Sequence, residues 1–261
     1  MKYKAVFFDI DGTLVNEEKE IPQDTIEAIA QLKESGIDVF IATGRAPYYF
    51  QHYAKPLGID SFVSFNGSYV VYKGKVVHEH PIPEKTLELL ESTALANNHP
   101  IVMQGAEAGY ANYDFEHPFV AESFHDLRVE VPGYRSSYWK EAKVYQALLY
   151  CEAHEESLYT SAEAPFGNLN FVRWHRVAMD VIPGGGSKAK GIEAVLKHLG
   201  ITPAEAVAFG DGLNDKEMLS YVGLGIAMGN AHEEVKPLAD FVTKHVNEGG
   251  IRHGLRHAGL I

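Results

Sequence analysis

Residues 3–8 (YKAVFF) are an unbroken apolar and aromatic run, the pattern of a strand buried on both faces of a parallel sheet. The run stops at two acids, Asp9 and Asp11. In IPQDTIEAIAQLKESG the period changes: Ile26, Ile29 and Leu32 share one helical face, with Pro22 near the start and Gly36 just past the end. IDVFIAT then returns as a second continuous strand and leads into Gly44 and Arg45. This βαβ unit predicts a right-handed crossover. A further helix is expected around 46–57. SFVSFNGSYVVYKGKVVHEH reads as a core strand followed by a hairpin turning at Lys73 and Gly74.

From about 82 to 183 the order differs. A helix (PEKTLELLESTALANN), two short strands and an aromatic-rich irregular stretch precede a strand near Val144 to Tyr150, a helix, and two strands ending at Ile182. Helices segregated from antiparallel strands predict an α+β unit. Pro183 and the glycines 184–186 predict a hinge or turn, after which βαβ order resumes. The expected elements are helix 187–199, strand 206–210, helix 213–221, strand 224–228, helix 231–238 and strand 240–243. Residues 1–81 and 184–261 are therefore expected to build one α/β domain with a parallel sheet, interrupted by an α+β insertion over 82–183. Two domains suit a chain of 261 residues.

Charge narrows the partners. Lys and Arg number 23 against 35 Asp and Glu, a net charge of -12 that repels a phosphate backbone, so nucleic acid is not an expected partner. An anionic substrate would need local cations or a metal. The single cysteine, Cys151, excludes an internal disulfide, suits a reducing compartment and ends a strand-like run, so it reads as core. The start MKYKAVFFDIDG meets acids before any long apolar stretch, and nothing approaches a membrane span. A cytoplasmic protein with no membrane partner is expected, as a monomer or weak homo-oligomer.

Ligands of open parallel sheets bind beyond the carboxyl ends of the strands. Asp9 and Asp11 follow the first strand; Thr43, Gly44 and Arg45 close the second; and Gly210, Asp211, Gly212, Leu213, Asn214 and Asp215 follow the strand after residue 205. Lys188 joins them from the start of the helix after the insertion. Hard carboxylate oxygens suit Mg²⁺, which would neutralise these acids and polarise a phosphoryl oxygen. Thr43 and Lys188 offer a donor and a positive charge to the remaining oxygens.

FDIDGT, ATGR, the lysine of GGSKAKGI and GDGLNDKEM resemble, in order and context, the four motifs of the haloacid-dehalogenase-like phosphatases. The match is to the Cof-type branch, which carries a large cap between the second and third motifs. The resemblance covers essentially the whole chain, the cap by position and size. It implies a Rossmann-like core with a cap domain, and Mg²⁺-dependent hydrolysis of a small phosphorylated metabolite through an aspartyl-phosphate. Asp9 would be nucleophile and metal ligand, and Asp11 the acid and then base, with its backbone carbonyl on the metal. Asp211 would complete the protein's metal ligands, and Asp215 would orient metal waters or Lys188. Thr43 and Lys188 would hold the transferring phosphoryl group. Gly12 and Gly44 would let the backbone approach the phosphate. Asn214, Arg45 and Asn66 would contact phosphate or leaving group. Asp11 would need burial or neighbouring charge to keep a proton at neutral pH.

Other features have plainer explanations. His78 and His80 form at most a surface pair, and the glycines 184–186 lack the spacing of a phosphate-binding loop to Lys188. Tyr134, Tyr138 and Trp139 read as cap core or surface, and Trp174 and His175 as packing. A phosphomutase on the same core, or a non-catalytic phosphate-ligand binder, is the alternative reading.

Overall fold

The computed structural model describes residues 2–113 and 117–261. Its internal packing divides the chain into two units: residues 1–45, 50–78 and 187–261, and residues 46–49 and 79–186.

The first unit begins with β1 (Ala5–Phe8), α1 (Gln23–Glu34), β2 (Asp38–Ala42), α2 (Pro47–Leu57, whose first turn falls to the second unit), β3 (Phe62–Ser64), β4 (Tyr69–Tyr72) and β5 (Lys75–Glu79). Pro22 precedes α1, and Gly36, at φ 76°, follows its last turn. Lys73 and Gly74 both take positive φ, 47° and 74°, the backbone of a two-residue turn that matches strand twist.

The second unit contains α3 (Glu84–Ala96), β6 (Ile101–Gln104), β7 (Gly109–Ala111), α4 (Pro118–Asp126), β8 (Gln146–Tyr150), α5 (Ser157–Thr160), β9 (Leu169–His175) and β10 (Ala178–Pro183). Its five strands form an antiparallel sheet in the order β7-β6-β8-β10-β9. Alternate residues of β8 feed opposite faces: Ala147 and Leu149 pack with Leu87, Leu90 and Tyr159, and Leu148 and Tyr150 with Val120 and Phe124. Tyr138, Trp139 and Cys151 are buried in the first of these clusters, while Tyr134 is exposed. His175 reaches Asp126 at 3.2 Å, and Trp174 packs against the second cluster.

A turn in which Gly186 N–H donates to Pro183 O returns the chain to the first unit. There follow α6 (Lys188–Leu199), β11 (Ala206–Gly210), α7 (Lys216–Tyr221), β12 (Leu224–Ala227), β13 (Phe241–Val242) and α8 (Gly250–His257). The eight-stranded sheet runs β13-β12-β11-β1-β2-β3-β4-β5, parallel from β13 to β3. Val6 and Phe8 pack on one side with residues of α1 and α8; Ala5 and Phe7 pack on the other with Ile192, Val195 and Leu196 of α6. Successive strands leave β1 in opposite directions, to β2 and, after the insertion, to β11. This is the switch in strand order where such sheets bind ligands.

Four expectations need correction. The helix expected over 231–238 is reduced to a single turn at Lys236–Leu238, because Pro237 has no N–H to donate and cannot extend an α-helix. The irregular stretch contains α4, whose cap is the Nδ1 of His117, not one of the usual capping residues. The helix after β8 is one turn long, and α8, led in by Gly249 at φ 76°, was not anticipated. Among the described residues no helix is long and apolar enough to cross a membrane.

Candidate active site

Asp9 directly follows β1, and its N–H donates to Phe209 O of β11, so the neighbouring strand fixes its backbone. Lys188 opens α6, where Ser187 caps the helix by accepting from Lys190 N–H. The lysine is fully buried: its Nζ lies 2.5 Å from Asp9 Oδ1 and 2.6 Å from Asp215 Oδ1. Asp215 is also fully buried, and its second oxygen accepts from Asp211 N–H and Gly212 N–H, both at 2.9 Å. Its carboxylate is therefore committed to holding Lys188 and the turn after β11.

Carboxylate oxygens of Asp9, Asp211 and Asp215 come within 4.8 Å of one another. Burial pushes the Asp9 carboxyl well above its ordinary range; Lys188 opposes this, while Asp215, Asp211 and Asp11 add to it. Burial and then Asp215 raise Asp211 to about 7, against a hydrogen bond from Thr13 Oγ1 at 2.9 Å. One ammonium is too little positive charge for three acids this close. Burial alone would lower the Lys188 ammonium, but Asp215 and Asp9 outweigh it and raise it. The cluster is all oxygen, hard and short of positive charge, so it fits a small divalent cation. Asp9 and Asp211 have the oxygens to hold one.

Asp11 is turned to other partners. Arg45 grips it with Nε on Oδ2 and Nη2 on Oδ1, both 2.7 Å, and Lys19 Nζ lies 2.6 Å from Oδ1. Burial would raise this carboxyl, but Arg45 and Lys19 outweigh it and hold it below its ordinary value. An acid role would need burial or neighbouring charge to help Asp11 keep a proton. The neighbouring charges are cations and do the reverse.

Thr43 is buried at the end of β2, with its N–H on Val63 O of β3, and its Oγ1 accepts from Arg45 N–H at 3.1 Å. Beside it Asn66, at φ 50° and ψ 36°, donates its N–H to Thr43 O and accepts from Asn214 Nδ2 at 3.1 Å. Gly44 faces this amide: a Cβ there would lie 2.9 Å from Asn66 Nδ2. Gly12, at φ 77°, sits so close to Asp211 that a Cβ would lie 2.1 Å from Oδ2. The structure therefore groups the candidates as Asp9, Lys188, Asp211 and Asp215; Asp11 with Arg45; and Thr43, Gly44, Asn66 and Asn214.

Three residues of this region escaped the sequence reading. Thr13 was visible within the DGT motif. Lys19 was hidden in the polar run NEEKE. Asn230, which donates to Gly12 O at 2.7 Å and accepts from Val246 N–H at 2.9 Å, carries no local signal at all.

Together the groups offer what a tetrahedral oxyanion needs: a buried ammonium on Asp9, a hydroxyl at a strand end, and a cluster of carboxylates that could hold a cation. Residues 6–255 match the haloacid dehalogenase-like hydrolase family. YkrA of Bacillus subtilis (strain 168) is 41% identical over 261 residues, covering 100% of both chains. From the same organism, the 5-amino-6-(5-phospho-D-ribitylamino)uracil phosphatase YitU is 28% identical, over 96% of each chain. Among solved structures, the HAD subclass IIB sugar phosphatase BT4131 superposes with a TM-score of 0.86 at 33% identity, over 99% of this chain and 100% of that one.

Proposed function

The chain belongs to the haloacid dehalogenase-like hydrolases and is a phosphatase, and from that premise we propose that it hydrolyses small phosphorylated metabolites through an aspartyl-phosphate on Asp9, with Mg²⁺ bound beside it. The observation that carries this reading is the buried contact of Lys188 with Asp9 at 2.5 Å and Asp215 at 2.6 Å, next to the carboxylate of Asp211. An ammonium fixed on one oxygen of a strand-end aspartate orients the other oxygen and offers positive charge to an incoming phosphoryl group.

Asp9 attacks phosphorus in line, and the phosphorus–oxygen bond to the leaving group breaks. Asp11 gives its proton to the departing oxygen, a role that Arg45 and Lys19 oppose in the free chain by favouring its carboxylate, and then takes one from the water that cleaves the aspartyl-phosphate. Thr43 donates its hydroxyl hydrogen to a phosphoryl oxygen, while Asn214 and Asn66 hold the phosphate rim with Gly44. Asp9, Asp211 and the backbone carbonyl of Asp11 would hold Mg²⁺, with Asp215 acting on it through Lys188 and the turn it braces. The ion, when bound, supplies charge neutralisation and polarisation of a phosphoryl oxygen.

The inserted unit is read as the cap that selects the leaving group. The names of YitU and BT4131 support small substrates, a phosphorylated ribitylamino-uracil and sugar phosphates respectively. The test is release of inorganic phosphate from a panel of sugar phosphates, phosphorylated cofactors and nucleotides, with Mg²⁺ or with chelator, beside an Asp9→Asn control. Metal-dependent release absent from the control is expected; release that survives the substitution would refute the nucleophile.

A further inference from the structure

We infer that Asn230 is a positioning residue that spaces the turn after β1 from Asp211, and so makes the carboxylate site prefer a small divalent cation to a larger one. The inference rests on the reading above, in which Asp9, Asp211 and the backbone carbonyl of Asp11 hold Mg²⁺.

Asn230 lies in the turn after β12 and uses both ends of its amide. Nδ2 donates to Gly12 O at 2.7 Å, and Oδ1 accepts from Val246 N–H at 2.9 Å. A carbonyl can only accept and an N–H only donate, so these two partners leave the amide one orientation. The chain behind it is tied down as well. Gly229 N–H donates to Lys244 O, and Asn247 Oδ1 accepts from Asn16 Nδ2 at 3.1 Å.

The backbone of the same turn grips a second segment of the site. Two residues on, His232 N–H donates to Asp211 O at 3.0 Å. Residues 230–232 therefore hold the turn after β1 by Gly12 O and the turn after β11 by Asp211 O. Where those two turns meet there is no slack: a Cβ on Gly12 would lie 2.1 Å from Asp211 Oδ2, and Thr13 Oγ1 donates to Asp211 Oδ1 at 2.9 Å.

The peptide groups on either side of Gly12 are held separately. Gly12 N–H donates to Val15 O at 2.9 Å; because a trans peptide is planar, the Asp11 carbonyl of that unit points the opposite way, away from Val15. The next peptide is held by Asn230 on Gly12 O and by a longer bond from Thr13 N–H to Ile10 O, 3.3 Å. Without Asn230 only the longer bond remains, beside a glycine at φ 77°, the residue type with most freedom to rotate. The Asp11 carbonyl and its spacing from Asp211 would then loosen together. Mg²⁺ demands near-regular octahedral coordination at about 2.0–2.1 Å, whereas Ca²⁺ accepts irregular oxygen sets at about 2.3–2.6 Å. A looser frame costs Mg²⁺ more than Ca²⁺.

The test is calorimetric titration of wild type, Asn230→Ala and Asn230→Asp with Mg²⁺ and, separately, with Ca²⁺ at pH 8, beside circular dichroism and thermal melts of the chelated proteins. Asn230→Asp keeps the shape and the bond from Val246 N–H but cannot donate to Gly12 O. Its added charge acts on both ions alike, so the ratio of the two affinities reads the geometry. In both variants the Mg²⁺ affinity relative to that for Ca²⁺ is expected to fall about tenfold or more, the scale for a lost partner behind metal ligands. A purely structural role would lower the melting temperature and leave the ratio where it was. An unchanged ratio in either folded variant, with a wild type that binds Mg²⁺, overturns the inference alone. Failure of both variants to fold overturns it too, by making Asn230 a residue of the fold. A wild type that does not bind Mg²⁺ overturns the metal reading and the inference with it.

Discussion

Replacing Lys188 by methionine keeps most of the aliphatic stem and removes the ammonium, leaving Asp215 charged and fully buried without its cation. Breaking a buried pair from one side costs about 3–5 kcal/mol, so Lys188→Met should lower the denaturant midpoint markedly. Activity should fall by about 10²–10³ or more, as when a charge-stabilising donor is lost. Asp9→Asn should behave differently. It removes an acid that burial and three neighbouring carboxylates already disfavour, so the fold should survive at pH 8 with little or no loss of stability while turnover disappears. Denaturant melts read beside phosphate release distinguish the two variants. Equal destabilisation of both would contradict the charge balance drawn for the cluster.

At the scale of elements, α6 carries Lys188 at its first turn and is anchored by Ile192, Val195 and Leu196, all buried in the apolar cluster that includes Phe7 of β1 and Phe40 of β2. Ile192→Ala should cost about 2–5 kcal/mol. Well below its melting temperature it should keep kcat within about threefold, because the ammonium is fixed by Asp9 and Asp215 and not by the core alone. A large loss of kcat in a folded Ile192→Ala would show that the helix, not the ion pairs, positions the lysine. Elements of this kind were legible in the sequence. Continuous apolar strands such as AVFF and AVAFG, and the three-four spacing of α1, reflect burial on a parallel sheet. Where the structure departs from that reading, short-range signals were outvoted. Pro237 stops a periodic pattern, His117 caps a helix without a typical capping residue, and α8 follows a run rich in polar residues. The site followed the same division. Residues at strand ends were found by motif, whereas Lys19 and Asn230 reach it from loops, which leave no periodic trace.

For the molecule as a whole, the acids beside Lys188 link stability, metal and pH. Asp211 is raised to about 7 in the folded chain, chiefly by burial and Asp215, from an ordinary 3.8. Between those values the folded state holds a proton the unfolded state has lost, so without metal stability falls as pH rises through that window. Asp11 has the opposite sign. Arg45 and Lys19 hold it below its ordinary value, so its contribution is present at neutral pH and is lost only as pH falls below about 3.8 through its folded value. A divalent cation needs Asp211 and Asp9 deprotonated, and below pH 7 it must displace protons to bind. Its affinity should therefore drop by about tenfold per pH unit for each proton displaced. Calorimetric titration with Mg²⁺ and thermal melts with chelator or Mg²⁺, at pH 5, 6, 7 and 8, measure both sides of this linkage. The chelated protein should melt higher at pH 5 than at pH 8, and Mg²⁺ should raise the melting temperature far more at pH 8. A Mg²⁺ affinity that does not change from pH 8 to pH 5 would mean that these carboxylates do not hold the metal. The positive charge missing from the cluster would then have to be met by substrate-borne or side-chain cations instead.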